Sequence, residues 1–354
     1  MKKVTWLLFF GYFLVFVIFG VVFYFKFLNQ FLSSGAEPEK TDIVVTEKIY
    51  YSEGNNLWIL NPDTAAKIIN HSSRIQSTGS SDFLDFNSAN SLFAYTSVNP
   101  DGINDIWQFQ LKSNQSEKIT DEGDARYEIL KNYLNFSRPK YSPTGGKLAF
   151  IARGGVKDSI LEKDLMTGNI SGLTPFSSSR IADYSWSSTG QKIVYCTSGL
   201  PKNYCEILDL GANKTTEKID VEIAQISWEK TSEIIYLSAG NLFSLKEGAG
   251  NPRPITDVAS PKRVVMFDID PGGINITYQV NDGDASDIYL SRTDGTNNIE
   301  LTSNKNSGEP HLSPKGDRVA FLRQNDGIYV IDANKIAETK ILNINNIDHL
   351  LIWR

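Results

Sequence analysis

A short segment that returns at a steady interval constrains this chain more than any other feature. Tyr141-Ser-Pro-Thr-Gly-Gly-Lys-Leu-Ala-Phe150 recurs as Trp186-Ser-Ser-Thr-Gly-Gln-Lys-Ile-Val-Tyr195 and as Leu312-Ser-Pro-Lys-Gly-Asp-Arg-Val-Ala-Phe321. Looser copies occupy Phe86–Tyr95, Trp228–Tyr236 and Ile269–Tyr278. In each copy an apolar anchor closes one strand, a turn rich in Pro, Gly, Ser or Asn reverses the chain, and an alternating apolar run opens the next strand. Apart from one longer gap the copies lie about 40–45 residues apart, the interval of a four-stranded propeller blade.

Two further strand signals follow each turn. Asn104-Asp-Ile-Trp-Gln-Phe-Gln-Leu111 has counterparts in Ser286–Ser291 and Gly327–Asp332. Closing runs follow at Glu117–Thr120, Pro254–Thr256 and Glu300–Thr302. Lettered from the central channel outward, a blade thus has strands a, b, c and d. The ends of the chain complete the count. Residues 48–51, 56–60 and 65–69 supply b, c and d without an a, and Asp348–Arg354 supplies an a with nothing after it. Pairing residues 347–354 with the first blade closes the ring and removes two exposed edges. The anchors Trp353, Phe86, Tyr141, Trp186, Trp228, Ile269 and Leu312 then number seven. The expected fold class is all-β, a seven-bladed β-propeller over residues 48–354. The weakly marked copy at Ile269 leaves six or eight blades as the alternatives.

The motifs resemble the TolB-type β-propeller repeat, a PD40-type relative of the WD repeat. Its pattern is an aromatic residue, Ser-Pro-Asp-Gly, a basic or polar pair and an apolar strand. The resemblance covers roughly residues 48–354 and is specific at Tyr141, Trp186 and Leu312. At Trp228 and Ile269 the Ser-Pro-Asp-Gly turn has decayed. TolB itself carries an α/β domain before a six-bladed propeller, and this chain departs from it there. What the resemblance implies is a bacterial envelope protein.

Before the repeats, Val4–Phe25 contains no charged residue. As a helix it would extend roughly 33 Å, enough to cross the hydrocarbon core. Lys2 and Lys3 precede it and Lys26 alone follows directly, a bias that puts the N-terminus in the cytoplasm and the remainder outside. A cleaved signal peptide ending near Ser34-Gly35-Ala36 is the competing reading, but its apolar region would exceed the usual span of about 7–15 residues. Residues 1–32 therefore read as a cytoplasmic tip and signal-anchor helix, and residues 33–47 as a linker. The formal net charge is −6, with no basic stripe, which argues against nucleic acid as a partner.

In a propeller the d–a and b–c loops emerge on one face. The longest here, Asp121 to Phe136, carries Asp121, Glu122, Asp124, Arg126 and Tyr127. Tyr127, Leu130 and Leu134 have the spacing of a short amphipathic helix. It reads either as a lid on its own blades or as a partner-binding rim, since loops this long without a role are uncommon. The b–c loops containing Asp101 and Asn104, and Asp282 and Asp284, join that face. Asp282, Asp284 and Asp287 approximate a calcium-loop spacing, but no Glu completes the ligand set, and Asp and Gly are what a tight turn requires.

Cys196 and Cys205 fall opposite each other if a hairpin centres between Leu200 and Pro201. They read as a disulfide outside the cytoplasm or as two buried thiols. His311 and His349 lie on neighbouring a strands without an evident third metal ligand. No GxSxG elbow is present, and no carboxylate pair stands out for glycoside hydrolysis. We expect no catalytic residues, no metal and no cofactor. The expected function is a membrane-anchored binding or scaffold module for an envelope protein, peptide or glycan. The alternative is a carboxylate-dependent hydrolase or lyase acting on polysaccharide.

Overall fold

The computed structural model describes residues 47–354 except 54–55, 65–66, 73–83, 88–90, 99–101, 114, 121–124, 156–157, 175–178, 200–202, 213, 229, 335–336 and 344–346. The transmembrane and linker segments expected over residues 1–46 lie outside the described residues. None of the described helices is long and apolar enough to cross a membrane.

Residues 47–354 form one compact unit built from seven four-stranded antiparallel sheets. Six of them take four consecutive strands from the sequence. The remaining blade, blade one, has the order β28 (His349–Trp353), β1 (Ile49–Glu53), β2 (Asn56–Leu60), β3 (Lys67–Ser72). Ile49 faces Trp353 across the junction between the two ends of the chain, and Arg354 N donates to Lys48 O at 2.8 Å. Trp353 is fully buried there among Ile49, Leu60, Ala320 and Ile328, so the last strand packs on blade seven as well as pairing with blade one.

The recurrent turn has a definite chemistry. Gly145 N donates to Ser142 O at 2.7 Å, and the same bond joins Gly190 to Ser187, Gly273 to Asp270 and Gly316 to Ser313. In three of the four turns Pro occupies the second position, where its fixed φ suits a type I turn. The side chain that opens the turn then caps the next strand: Ser142 Oγ accepts from Lys147 N at 3.2 Å, and Ser313 Oγ from Arg318 N at 3.1 Å. At Ile269, where the sequence suggested decay, the turn geometry is complete. Asp270 replaces the serine, and its Oδ1 accepts from Ile274 N at 2.8 Å. The turn's last glycine is required by conformation and by contact. Gly145 has φ +71°, and a Cβ there would lie 2.8 Å from Asn87 Oδ1 of the preceding blade.

The outer strands repeat a second device. Thr120, Thr174, Thr256 and Thr302 each accept, through Oγ1, a backbone N–H from strand c of their own blade, at 2.8 to 3.1 Å. The preceding Ile119, Ile255 and Leu301 are buried, so the fourth strand is clipped to the sheet and its apolar residue turned inward. The cores lie between blades. Ile106 and Ile119 of blade two, for example, share a cluster with Phe136 and Phe150 of blade three.

Candidate functional site at the channel mouth

Strand a of several blades is bulged near its middle. The register shifts between Ser137 and Lys140 in β8 (Asn135–Tyr141), between Ile181 and Asp183 in β12 (Arg180–Trp186), between Val264 and Met266 in β20 (Arg263–Ile269), and between Gly308 and His311 in β24 (Ser307–Leu312). Bulges re-aim side chains and cluster beside functional sites. Two of these place a charged residue in the left-handed region, Arg138 at φ 54° and Glu309 at φ 52°. Few non-glycine residues adopt such angles without a surrounding structure that enforces them.

Glu309 lines a cleft of about 520 Å³ formed by blades six and seven and by the entry to β28. Its polar lining includes Gln279, Ser286, Asn306, Arg323, Asn325 and Asp348. Asn306 and Asp348 precede a strands, Ser286, Arg323 and Asn325 lie at the b–c ends of their blades, and Gln279 sits within the b strand Asn275–Asp282, so most of the lining lies towards the face that carries the longest loops. The d–a loop before β24 is held from both sides: Ser286 N donates to Lys305 O at 3.1 Å, and Gln324 N to Asn306 O at 3.2 Å. Arg323 is stacked 4.0 Å over the Tyr329 ring and bonded to Glu338 at 2.9 Å. It also borders a second hollow of about 460 Å³ between blades six and seven.

At the cleft's edge His349 Nδ1 lies 2.7 Å from Glu309 Oε1. The bond to Glu309 raises the imidazole pKa, burial opposes this, and the charges of Glu309 and Asp348 add to the rise. Deeper in the ring Asp268 accepts from Lys230 Nζ at 3.0 Å and from Leu312 N at 3.0 Å, joining blades five, six and seven. Burial pushes its pKa up, but Lys230 and His311 outweigh that and hold the carboxyl well below its usual range. The other displaced carboxylates, Asp164, Asp183, Asp294 and Asp326, also move downward. A coupled acid pair would instead push one member up.

The residues singled out from the sequence fare unevenly. Asp101, Asp121, Glu122 and Asp124 lie outside the described residues. Arg126 and Tyr127 belong to a 3-10 helix, Ala125–Asn132, but their side chains lie outside the description. Leu130 and Tyr133 are buried in the core between blades two and three, whereas Leu134, expected on the same apolar face, is 59% exposed. The helix ends at Asn132, so helical spacing does not extend to Leu134. Asn104 N donates to Asn135 Oδ1 at 3.0 Å, a bond between blades. Asp284 is exposed, and Asp282 meets Lys262 at 3.8 Å; neither lines the cleft. Among the described residues no group of three or more His, Cys, Asp or Glu could hold a metal ion. His311 faces Asp268 and His349 faces Glu309.

Cys196 and Cys205 are directly paired across β13 (Lys192–Ser198) and β14 (Tyr204–Asp209) and form a disulfide. Sequence reasoning passed over Glu309, Gln279, Arg323 and Asp348. Glu309 and Asp348 lie in or just before an a strand, and Gln279 and Arg323 in the second half of b strands, places that carry no local sequence signal.

Comparison with solved structures settles the architecture. TolB from Acinetobacter baumannii superposes with a TM-score of 0.52 at 15% identity, over 86% of this chain and 81% of that one. The fold is that of the TolB-type β-propellers. An oligogalacturonate lyase in complex with manganese gives 0.59 at 12% identity, over 84% of each chain. A prolyl endopeptidase gives 0.61 at 11% identity, over 83% of this chain and 48% of that one. No protein-family model and no curated protein matches the sequence. The fold is therefore shared by TolB, an oligogalacturonate lyase and a prolyl endopeptidase, and the site must be argued from its own residues.

Proposed function

We propose that this chain is a membrane-anchored, extracytoplasmic binding module that holds an envelope protein, peptide or glycan over the d–a face of its propeller. The observation that carries the reading is the cleft at blades six, seven and one. Its walls are polar and held by inter-blade hydrogen bonds, and its charged groups are isolated or tied in pairs such as His349–Glu309 rather than coupled as two acids. The Cys196–Cys205 disulfide supports a location outside the cytoplasm, because reducing compartments disfavour such bonds. The uncharged Val4–Phe25 segment, with Lys2 and Lys3 before it, supports the anchor and its orientation.

The test is affinity capture from native membranes with the full chain and with a double variant, Gln279→Ala plus Arg323→Gln. These substitutions alter the cleft wall while sparing the blade cores. Deleting Asp121–Phe136 would be a poor test, since Leu130, Tyr133 and Phe136 are core residues. A species retained by the native chain and lost with the variant supports the reading; identical captures refute it.

A second reading rests on the His349–Glu309 pair, whose protonated imidazole could serve proton transfer in a polysaccharide lyase or hydrolase. Release of unsaturated or reducing ends from envelope polysaccharide, abolished by His349→Gln, would replace the first reading with this one.

A further inference from the structure

The same rim carries a second, cationic cluster over blades three and four. Arg138 and Lys140 lie on β8, Arg153 ends β9 (Lys147–Arg153), and Arg180 opens β12. Beneath them sit two buried carboxylates. Asp158 receives Arg180 NH1 at 2.7 Å, Ile181 N at 2.9 Å and Arg153 NH1 at 3.7 Å. Asp183 receives Lys140 Nζ at 3.1 Å and Arg138 NH1 at 3.3 Å. Four cations thus stand over two anions in a protein whose net charge is −6. The anions are at the bottom, at 0% and 1% side-chain exposure, while Arg153 and Arg180 keep 34% and 44%.

Two independent observations point to a ligand. Arg138 is held at φ 54° in the bulge of β8, a conformation its side chain disfavours and one typical of functional positions. Arg153 has its pKa lowered, first by burial and then, against the pull of Asp158, by the neighbouring charges of Arg180 and Arg138. Like charges have been gathered where an incoming anion would relieve them.

The geometry points to a recognition site for a peptide segment carrying adjacent carboxylates. Guanidinium forks bind carboxylates in bidentate fashion, and arginine clusters of this kind recognise acidic motifs. A peptide is favoured over an acidic sugar because, among the described residues, no aromatic side chain is exposed as a flat platform for a pyranose ring. The assignment deepens the binding-module reading by naming a ligand class, at a cluster separate from the cleft of blades six, seven and one.

Fluorescence anisotropy with the full chain in detergent tests it. The probes are a labelled peptide containing a run of aspartates, its asparagine analogue and an oligo-uronic acid. Arg138→Asn is the variant of choice, because Asn tolerates a positive φ and Lys140 remains to neutralise Asp183. Arg180→Gln is the second. The aspartate peptide should bind about tenfold more tightly than the amide analogue, weaken with salt, and lose about tenfold on Arg138→Asn, with a melting curve showing that variant folded at the assay temperature. Equal binding of acid and amide peptides, or of native chain and Arg138→Asn, overturns the site. Arg138-dependent preference for the oligo-uronic acid overturns the peptide assignment. Membrane capture through the cleft reports on the earlier reading and peptide anisotropy on this one, so either can fail alone.

Discussion

Replacing Asp183 by Asn would remove one charge from the middle of the ring and test whether the blades are riveted by buried ion pairs. Asp183 Oδ1 accepts from Tyr184 N at 2.8 Å and Oδ2 from Ile226 N at 3.0 Å, while Lys140 and Arg138 approach from the preceding blade. One side chain therefore links blades three, four and five. Breaking a buried pair by removing one partner costs about 3–5 kcal/mol. Lys140 and Arg138 keep 22% and 17% exposure and can recover part of their hydration, so the lower part of that range applies. The amide nitrogen of Asn would also confront either a backbone N–H or a cation, adding about 1–3 kcal/mol.

The expected loss is about 4 kcal/mol, which for a domain of this size lowers the melting temperature by roughly 8 °C. Denaturant titration of the native chain and Asp183→Asn across pH is the assay. Burial raises the Asp183 pKa, but Lys140, Arg138 and hydrogen bonds outweigh it, so the folded value lies below the ordinary 3.8. A depressed carboxylate contributes its full stability above the unfolded pKa and loses it as pH falls through the folded value. The gap between the two proteins should therefore be constant from neutral pH down to about 4 and shrink below that. A gap under about 1 kcal/mol at neutral pH, or one that does not shrink in acid, refutes the riveting argument.

Other outcomes follow from the same geometry. His349→Gln should cost stability below pH about 6.5, with the cost fading as pH rises through the elevated His349 pKa, because a raised histidine stabilises only while protonated; unfolding at acid and alkaline pH measures it, and a pH-independent gap would contradict it. Gly273→Ala should destabilise by more than about 2 kcal/mol, since its φ is +68° and a Cβ would strike the Lys230 carbonyl oxygen; a melting temperature equal to that of the native chain would contradict it. The denatured native chain should titrate with no free thiol until reduced, and reduction should cost about 2–3 kcal/mol for a loop this short; two reactive thiols before reduction would contradict it. Carbonate-washed membranes should retain the full chain and release one lacking residues 1–42; recovery of the full chain in the soluble fraction would contradict it.

How much of this was legible in the sequence divides along the range of the interactions. The blade repeat could be read directly, because each unit is written by neighbours: a Pro-bearing turn closed by a glycine, a serine that caps the following strand, and alternation of period two on either side. Even at Ile269, where Asp270 stands in for serine, the same local hydrogen bonds re-form, so seven blades could be counted from weak copies. Cross-strand placement of Cys196 and Cys205 follows from hairpin arithmetic in the same way.

The loop Asp121–Phe136 showed the limit of such reading. Its apolar spacing suggested one helical face, yet tertiary packing took Leu130, Tyr133 and Phe136 into the core and left Leu134 in solvent.

The rim was decided only by closure of the ring. Glu309 and His349 stand 40 residues apart and meet because β28 returns to blade one beside blade seven. Arg138, Arg153 and Arg180 converge because bulges and b–c turns of adjacent blades aim them at one place. Sequence by itself determined the repeating unit, since turns and alternation act over a few residues. Which charges face one another depends on inter-blade geometry and bulged registers, which have no local signature, and so only the tertiary structure decided it.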